Sequence, residues 1–141
     1  MTDWKSVGIG ALANVVLTMI LTIVLFPLFF LGPVIGGLLT AYLSNERLSQ
    51  RTPASDAGDG ALSGVIGGLL IGAIFILGFS VLSTVIGLVF TQIGAVLGTI
   101  TLITGLFFTL ITIILGGVLG AMGGVIGYSM REKEYVQVKV N

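Results

Sequence analysis

The sequence has no cysteine and no histidine, and only 12 of its 141 residues are charged. The first absence removes a disulfide framework, a thiol nucleophile and a cysteine–histidine zinc site, and the second removes an imidazole base. A soluble domain of this length carries roughly a quarter charged residues, about 35. Six Lys and Arg balance six Asp and Glu, with no basic run, so nucleic acid is not an expected partner. Proline is scarce as well, at positions 27, 33 and 53 only.

The charges stand in three clusters. Asp3 and Lys5 come first, then Glu46, Arg47, Arg51, Asp56 and Asp59, then Arg131 to Glu134 and Lys139. Residues 6–45 form a run of 40 without a charge, and residues 60–130 another of 71. Thirty remaining residues cannot surround 111 uncharged ones in a water-soluble fold. The composition points to an all-α integral membrane protein. The first 26 residues superficially resemble a signal peptide, but Phe26-Pro27-Leu28-Phe29-Phe30 follows where a small-residue cleavage site would stand. The segment reads as a retained membrane helix. No glycosylation sequon or C-terminal lipidation box occurs in the sequence.

Laid out as helix, 111 residues reach about 167 Å against a hydrocarbon core of about 30 Å, which permits at most five crossings. The first run divides at its prolines. Ser6 to Leu25 makes a helix that Pro27 ends, and Pro33 suits the first turn of a returning helix that runs to about Leu48. In the second run, Gly60 to about Phe79 reads as one helix and about Thr101 to Met130 as another. Ser80 to Ile100 between them extends both helices, lies along the interface or forms a fifth span. Hydropathy does not decide, but four spans put all six Lys and Arg on one side, as the positive-inside rule favours.

The expected architecture is therefore one membrane domain over 1–141. It comprises a hairpin at 6–45, a cytoplasmic polar loop at 46–59, a hairpin at 60–130 and a cytoplasmic tail at 131–141. Its four transmembrane helices make two glycine-rich hairpins, with five spans as the alternative. Ser, Pro and Gly in the 46–59 loop predict a mobile linker in which Asp59 caps the next helix. Asp56 and Asp59 are too few to indicate a metal site. The tail Glu134 to Val140 alternates like a strand, and a frayed end is expected there.

Small residues recur at spacing four in every segment. They are Gly10, Asn14, Thr18 and Thr22, then Gly32, Gly36, Thr40 and Ser44. The later helices carry Gly60, Gly64, Gly68 and Gly72, then Thr112, Gly116, Gly120 and Gly124. Such residues line one face of a helix. Lipid tails are as apolar as leucine, so close backbone approach across small faces, rather than burial from water, holds membrane helices together. The glycines and Asn14 are accordingly the expected helix-packing residues. Gly8-Ile9-Gly10-Ala11-Leu12-Ala13 matches a dinucleotide fingerprint by accident, since that motif needs a preceding strand and a βαβ unit and only seven residues stand before it here.

Asn14 and Gln92 are the only side-chain amides well inside the uncharged runs. Ion and proton pathways usually carry an intramembrane carboxylate, imidazole or ammonium group, and these runs have none. Asn14 reads as an interhelical hydrogen-bonding residue and Gln92 as a group reaching the far interface. No catalytic, cofactor-binding or metal-ligating set emerges, and no cofactor is expected.

The string Gly32-Pro33-Val34-Ile35-Gly36-Gly37 leading to Ala41-Tyr42-Leu43 resembles a family of small archaeal membrane proteins frequent in haloarchaea. So do Asp59-Gly60-Ala61-Leu62-Ser63-Gly64 and the stretch from Gly116 to Tyr128. The resemblance implies two glycine-rich hairpins joined by a polar loop and, the family being a domain of unknown function, no site or substrate. Gly32-x-Val34-x-Gly36 and Gly116-x-Val118-x-Gly120 each precede a Tyr, a weak parallel repeat of a kind found in transporters. The expected role is a non-catalytic structural or accessory subunit, in a homo-oligomer or a larger membrane complex. A small transporter or oligomeric channel is the alternative, and an enzyme is not expected.

Overall fold

In a computed structural model the chain is all-helical, and it is described over residues 2–24, 30–44 and 51–140. The break expected at Pro27 and residues 45–50 of the loop lie outside the described residues, as does the side chain of Gln92. Four helices follow in order: α1 (Trp4–Val24), α2 (Leu31–Leu43), α3 (Pro53–Val89) and α4 (Thr91–Val140). α1, α3 and α4 are long and apolar enough to cross a membrane. α2 has 13 residues. It is about 20 Å long, short of a hydrocarbon core of about 30 Å.

Local chemistry sets the ends. Asp3 starts α1, its carboxylate accepting the backbone N–H groups of Lys5 at 3.2 Å and Ser6 at 3.4 Å and the Ser6 hydroxyl at 3.0 Å. Pro33 stands in the first turn of α2, where its missing N–H costs nothing. Thr52 caps α3. Its hydroxyl accepts from the Ser55 N–H while Ser55 Oγ accepts from the Thr52 N–H, and Pro53 fills the first helical position.

Three boundaries differ from those expected, and one open alternative is decided. α2 ends at Leu43, with Ser44 extended, rather than at about Leu48. α3 begins at Pro53 rather than Gly60, so the second half of the presumed linker is helix, and Asp59 lies in the second turn rather than at the cap. The Thr52–Ser55 capping box supplies a helix start that the apolar pattern could not show. Ser80 to Ile100 extends both neighbouring helices. Phe90 alone separates them, with its N–H donating to Ile86 O at 2.9 Å, and no fifth helix exists among the described residues. The tail runs on as helix to Val140. Adding residues to an existing helix escapes the nucleation cost, whereas its alternating residues would need a partner strand.

The helices pack with opposed and matched directions that the close contacts fix. Gly10 lies against Thr40 and Gly32 against Thr18, so α1 and α2 are antiparallel. Gly10 also meets Ser63, and Asn14 meets Gly67, so α1 and α3 are parallel. α3 and α4 are antiparallel, from Gly60 beside Gly120 to Ile76 beside Gly105 and a Ser83–Thr101 hydroxyl pair at 3.2 Å. The N-terminus of α1, the C-terminus of α2, the start of α3 and Arg131 of α4 thus share one end of the bundle.

The interior inverts the pattern of a soluble protein. Among the described residues the buried hydrophobic side chains are Val7, Ala11 and Ala41, while Asn14, Thr18, Thr40 and Ser63 are buried too. Leu12, Ile23, Leu69, Leu77, Phe107 and Ile114 face outward. Large apolar groups on the outside and small or polar ones within suit a lipid solvent, in which only packing and hydrogen bonds favour association.

Candidate functional site

The small-residue positions assemble into three seams. Between α3 and α4, an added Cβ at Gly60 would strike Gly120, at Gly64 the carbonyl of Gly116, at Gly68 that of Thr112, and at Gly72 the Thr109 side chain. A Cβ at Gly124 would strike the carbonyl of Asp56. Thr112 Oγ1 adds a hydrogen bond across this seam to Gly68 O at 3.2 Å. Between α1 and α2, Gly10, Gly32 and Gly36 meet Thr40, Thr18 and Asn14 in turn. All eleven expected packing residues therefore lie at helix contacts.

A third seam, between α2 and α4, escaped the spacing-four reading. Gly37 meets the carbonyl of Gly120, Gly123 that of Val34, and Gly127 that of Leu38. Gly67 likewise turns to α1 and Asn14. These glycines sit one or three positions from the first stripe, so α2, α3 and α4 each carry two small faces. Adjacent glycine pairs such as Gly36-Gly37, Gly67-Gly68 and Gly123-Gly124 were the available signal, because neighbouring positions point about 100° apart.

Where α1, α2 and α3 meet, four neutral polar side chains are enclosed. Thr18 Oγ1 donates to Asn14 Oδ1 at 3.0 Å, and Thr40 Oγ1 donates to Gly36 O at 2.9 Å. Asn14 Nδ2 and Ser63 Oγ are fully buried with no hydrogen-bond partner. The Ser63 and Thr40 hydroxyls both occupy the space where a Cβ at position 10 would stand, so glycine there is what lets the two approach.

A charged cluster closes the same end of the bundle. Arg51, Asp56 and Asp59 are all buried. Arg51 Nε pairs with Asp56 Oδ1 at 2.6 Å, one Nη pairs with Asp59 Oδ2, and the other donates to Ser44 Oγ. Asp56 and Asp59 share a face of α3 because they are three residues apart, and their charge near the helix N-terminus complements its dipole. Arg131 Nη1 donates to Ala41 O at 2.9 Å, one of the last carbonyls of α2 that no helical N–H can reach. Two arginines therefore hold the C-terminal end of α2, where positive charge is favoured. In the sequence Asp56 and Asp59 read as loop carboxylates, and nothing there marks this cluster, since its geometry depends on Arg51 turning back toward α3.

An apolar exterior, a glycine-walled interior and charge collected at one end are the features of a helical membrane protein. Within that class the chain belongs to a family of unknown function, DUF5518, whose family model matches residues 4–130. No curated protein and no solved structure matches the chain.

Proposed function

We propose that this chain is a non-catalytic structural or accessory subunit of a membrane, built from two helical hairpins that enter from the cytoplasmic face. Both termini and the 46–59 loop lie on that face, where the positive-inside rule favours all six Lys and Arg. The observation that carries the reading is the interior itself. Its seams are glycine backbone, and its enclosed side chains are neutral apart from the Arg51 cluster at the end. Such an interior makes a rigid scaffold and offers no nucleophile–base pair. The partner is another copy of the chain or a larger membrane complex. Co-purification from native membranes and particle mass in mild detergent test this, and a monomer that captures nothing would sink it.

The Asn14–Thr18–Thr40–Ser63 group favours a second reading, a small transporter or oligomeric channel, because two of its polar atoms lack partners. Solute flux in liposomes separates the two.

A further inference from the structure

The two hairpins differ in height, and the difference bears on which helices cross. The Gly10–Ser63 and Asn14–Gly67 contacts carry the end of α1 at Val24 to about residue 77 of α3. α3 then continues to Val89, about 18 Å farther, and α4 returns alongside it from Thr91. Suppose the far end of α1 lay at the far membrane surface. The outer part of the α3–α4 hairpin would then stand in water with Val81, Leu82, Val85, Leu88, Val89 and Phe90 each 55–80% exposed. An apolar surface of that kind belongs in hydrocarbon.

The alternative puts the apex at Phe90, beside the polar Thr91 and Gln92, at the far boundary. Gly60 to Val89 then occupies the bilayer as about 45 Å of helix, which a tilt of about 40° fits into about 35 Å of depth. The same tilt takes α1 about 20 Å into a core of about 30 Å. The far end of α1 suits that depth. Ile20 and Ile23 are 52% and 85% exposed. Since neither the far end of α1 nor the Phe90 apex carries a Trp, Tyr, Lys or Arg, it is the polar pair Thr91 and Gln92 that marks the apex as the boundary. The opposite end carries such anchors in Trp4, Lys5, Tyr42, Tyr128 and Arg131. α2 reaches less deep than α1, with Gly32 in its first turn beside Thr18, and is too short to span.

We propose that only α3 and α4 cross the bilayer, and that α1 and α2 enter it from the cytoplasmic face and stop within the hydrocarbon. The exposed side chains of Ile20 and Ile23 and those on the outer part of the α3–α4 hairpin then share one covering, the acyl chains of the far leaflet. The inference rests on the membrane reading above and deepens it.

The chain lacks cysteine, so single-cysteine variants of the full protein in liposomes report directly. Ala54→Cys, Ile23→Cys and Phe90→Cys all replace exposed side chains, and folding should tolerate them. With a membrane-impermeant maleimide, Ala54→Cys should label from one face and Phe90→Cys from the opposite face. Ile23→Cys should label from neither until detergent is added. A fluorophore at position 23 should be quenched more by a nitroxide in mid-chain than by one at the headgroup. Labelling of Ile23→Cys from the Phe90 face would overturn the proposal, as would failure of Phe90→Cys to label from that face. Release of the protein by alkaline carbonate, with all three positions labelled alike, would sink the membrane reading instead.

Discussion

Gly64 and Gly116 meet backbone to backbone, so that a methyl group on either would land on the carbonyl oxygen of the other. Gly68 and Gly120 are similarly confined, against Thr112 and Gly60. Gly78 and Gly98, on the same two helices, have nothing within 4 Å of where a Cβ would stand. Glycine content alone would treat these positions alike. The geometry does not.

The first prediction follows from that contrast. Gly64→Ala should cost about 1–3 kcal/mol from overpacking, and Gly68→Leu or Gly120→Leu more. Gly78→Ala and Gly98→Ala should gain about 0.5–1 kcal/mol through helix propensity, and the exposed Leu70→Ile should change stability by less than about 0.5 kcal/mol. Unfolding midpoints in mixed micelles give the comparison. Equal effects at Gly64 and Gly78 would show that the seams do not hold the fold.

The Arg51 cluster gives the second. Arg51→Met leaves Asp56 and Asp59 buried beside a neutral side chain, and breaking a buried pair in this way costs about 3–5 kcal/mol. Arg51→Lys should recover only part, because one ammonium cannot reproduce the fork that meets Asp56, Asp59 and Ser44 together. The pair is enclosed, so raising salt should shift the wild-type midpoint little. A large salt dependence would mean that the cluster is open to water.

These contrasts also mark how far the sequence could be read. The membrane class follows from two uncharged runs, and the faces at Gly10, Gly36, Gly64 and Gly120 follow from a spacing of four. The second faces at Gly37, Gly67, Gly123 and Gly127 did not, because one repeat hides another offset by one or three positions. The start of α3 is hidden because Thr52, Pro53 and Ser55 read equally well as linker residues and as a helix cap. Asp59 was then assigned to the cap, when its partner is an arginine eight residues earlier in the chain. The extension of α3 and α4 through Ser80 to Ile100 turns on the single break at Phe90, an apolar residue with no turn signature.

The third prediction uses the enclosed hydroxyl of Ser63. It has no partner, so Ser63→Ala removes an unpaired polar atom without opening a seam and should leave stability unchanged or raise it by up to about 1 kcal/mol. Thr40→Ala deletes a hydroxyl that donates to Gly36 O and should lower stability by about 1 kcal/mol. A loss at Ser63 as large as that at Thr40 would show that Ser63 is hydrogen-bonded in the membrane.

The last prediction concerns transport. Proton coupling needs a group within the membrane whose charge changes as the protein changes state. Residues 6–45 and 60–130 contain no Asp, Glu, Lys, Arg or His. Asp56 and Asp59, which border the second run, both face Arg51 at the charged end. The enclosed group around Asn14 is an amide and three hydroxyls, none of which exchanges a proton near neutral pH. A neutral lining can still conduct cations through oxygen contacts, so the assay must read protons. Protein reconstituted in liposomes should show no proton-coupled uptake and should collapse an imposed pH gradient no faster than empty vesicles do. A proton flux abolished by Asn14→Leu, in protein that still folds, would move Asn14 from the packing interior into a pathway and replace the scaffold reading with the transporter one.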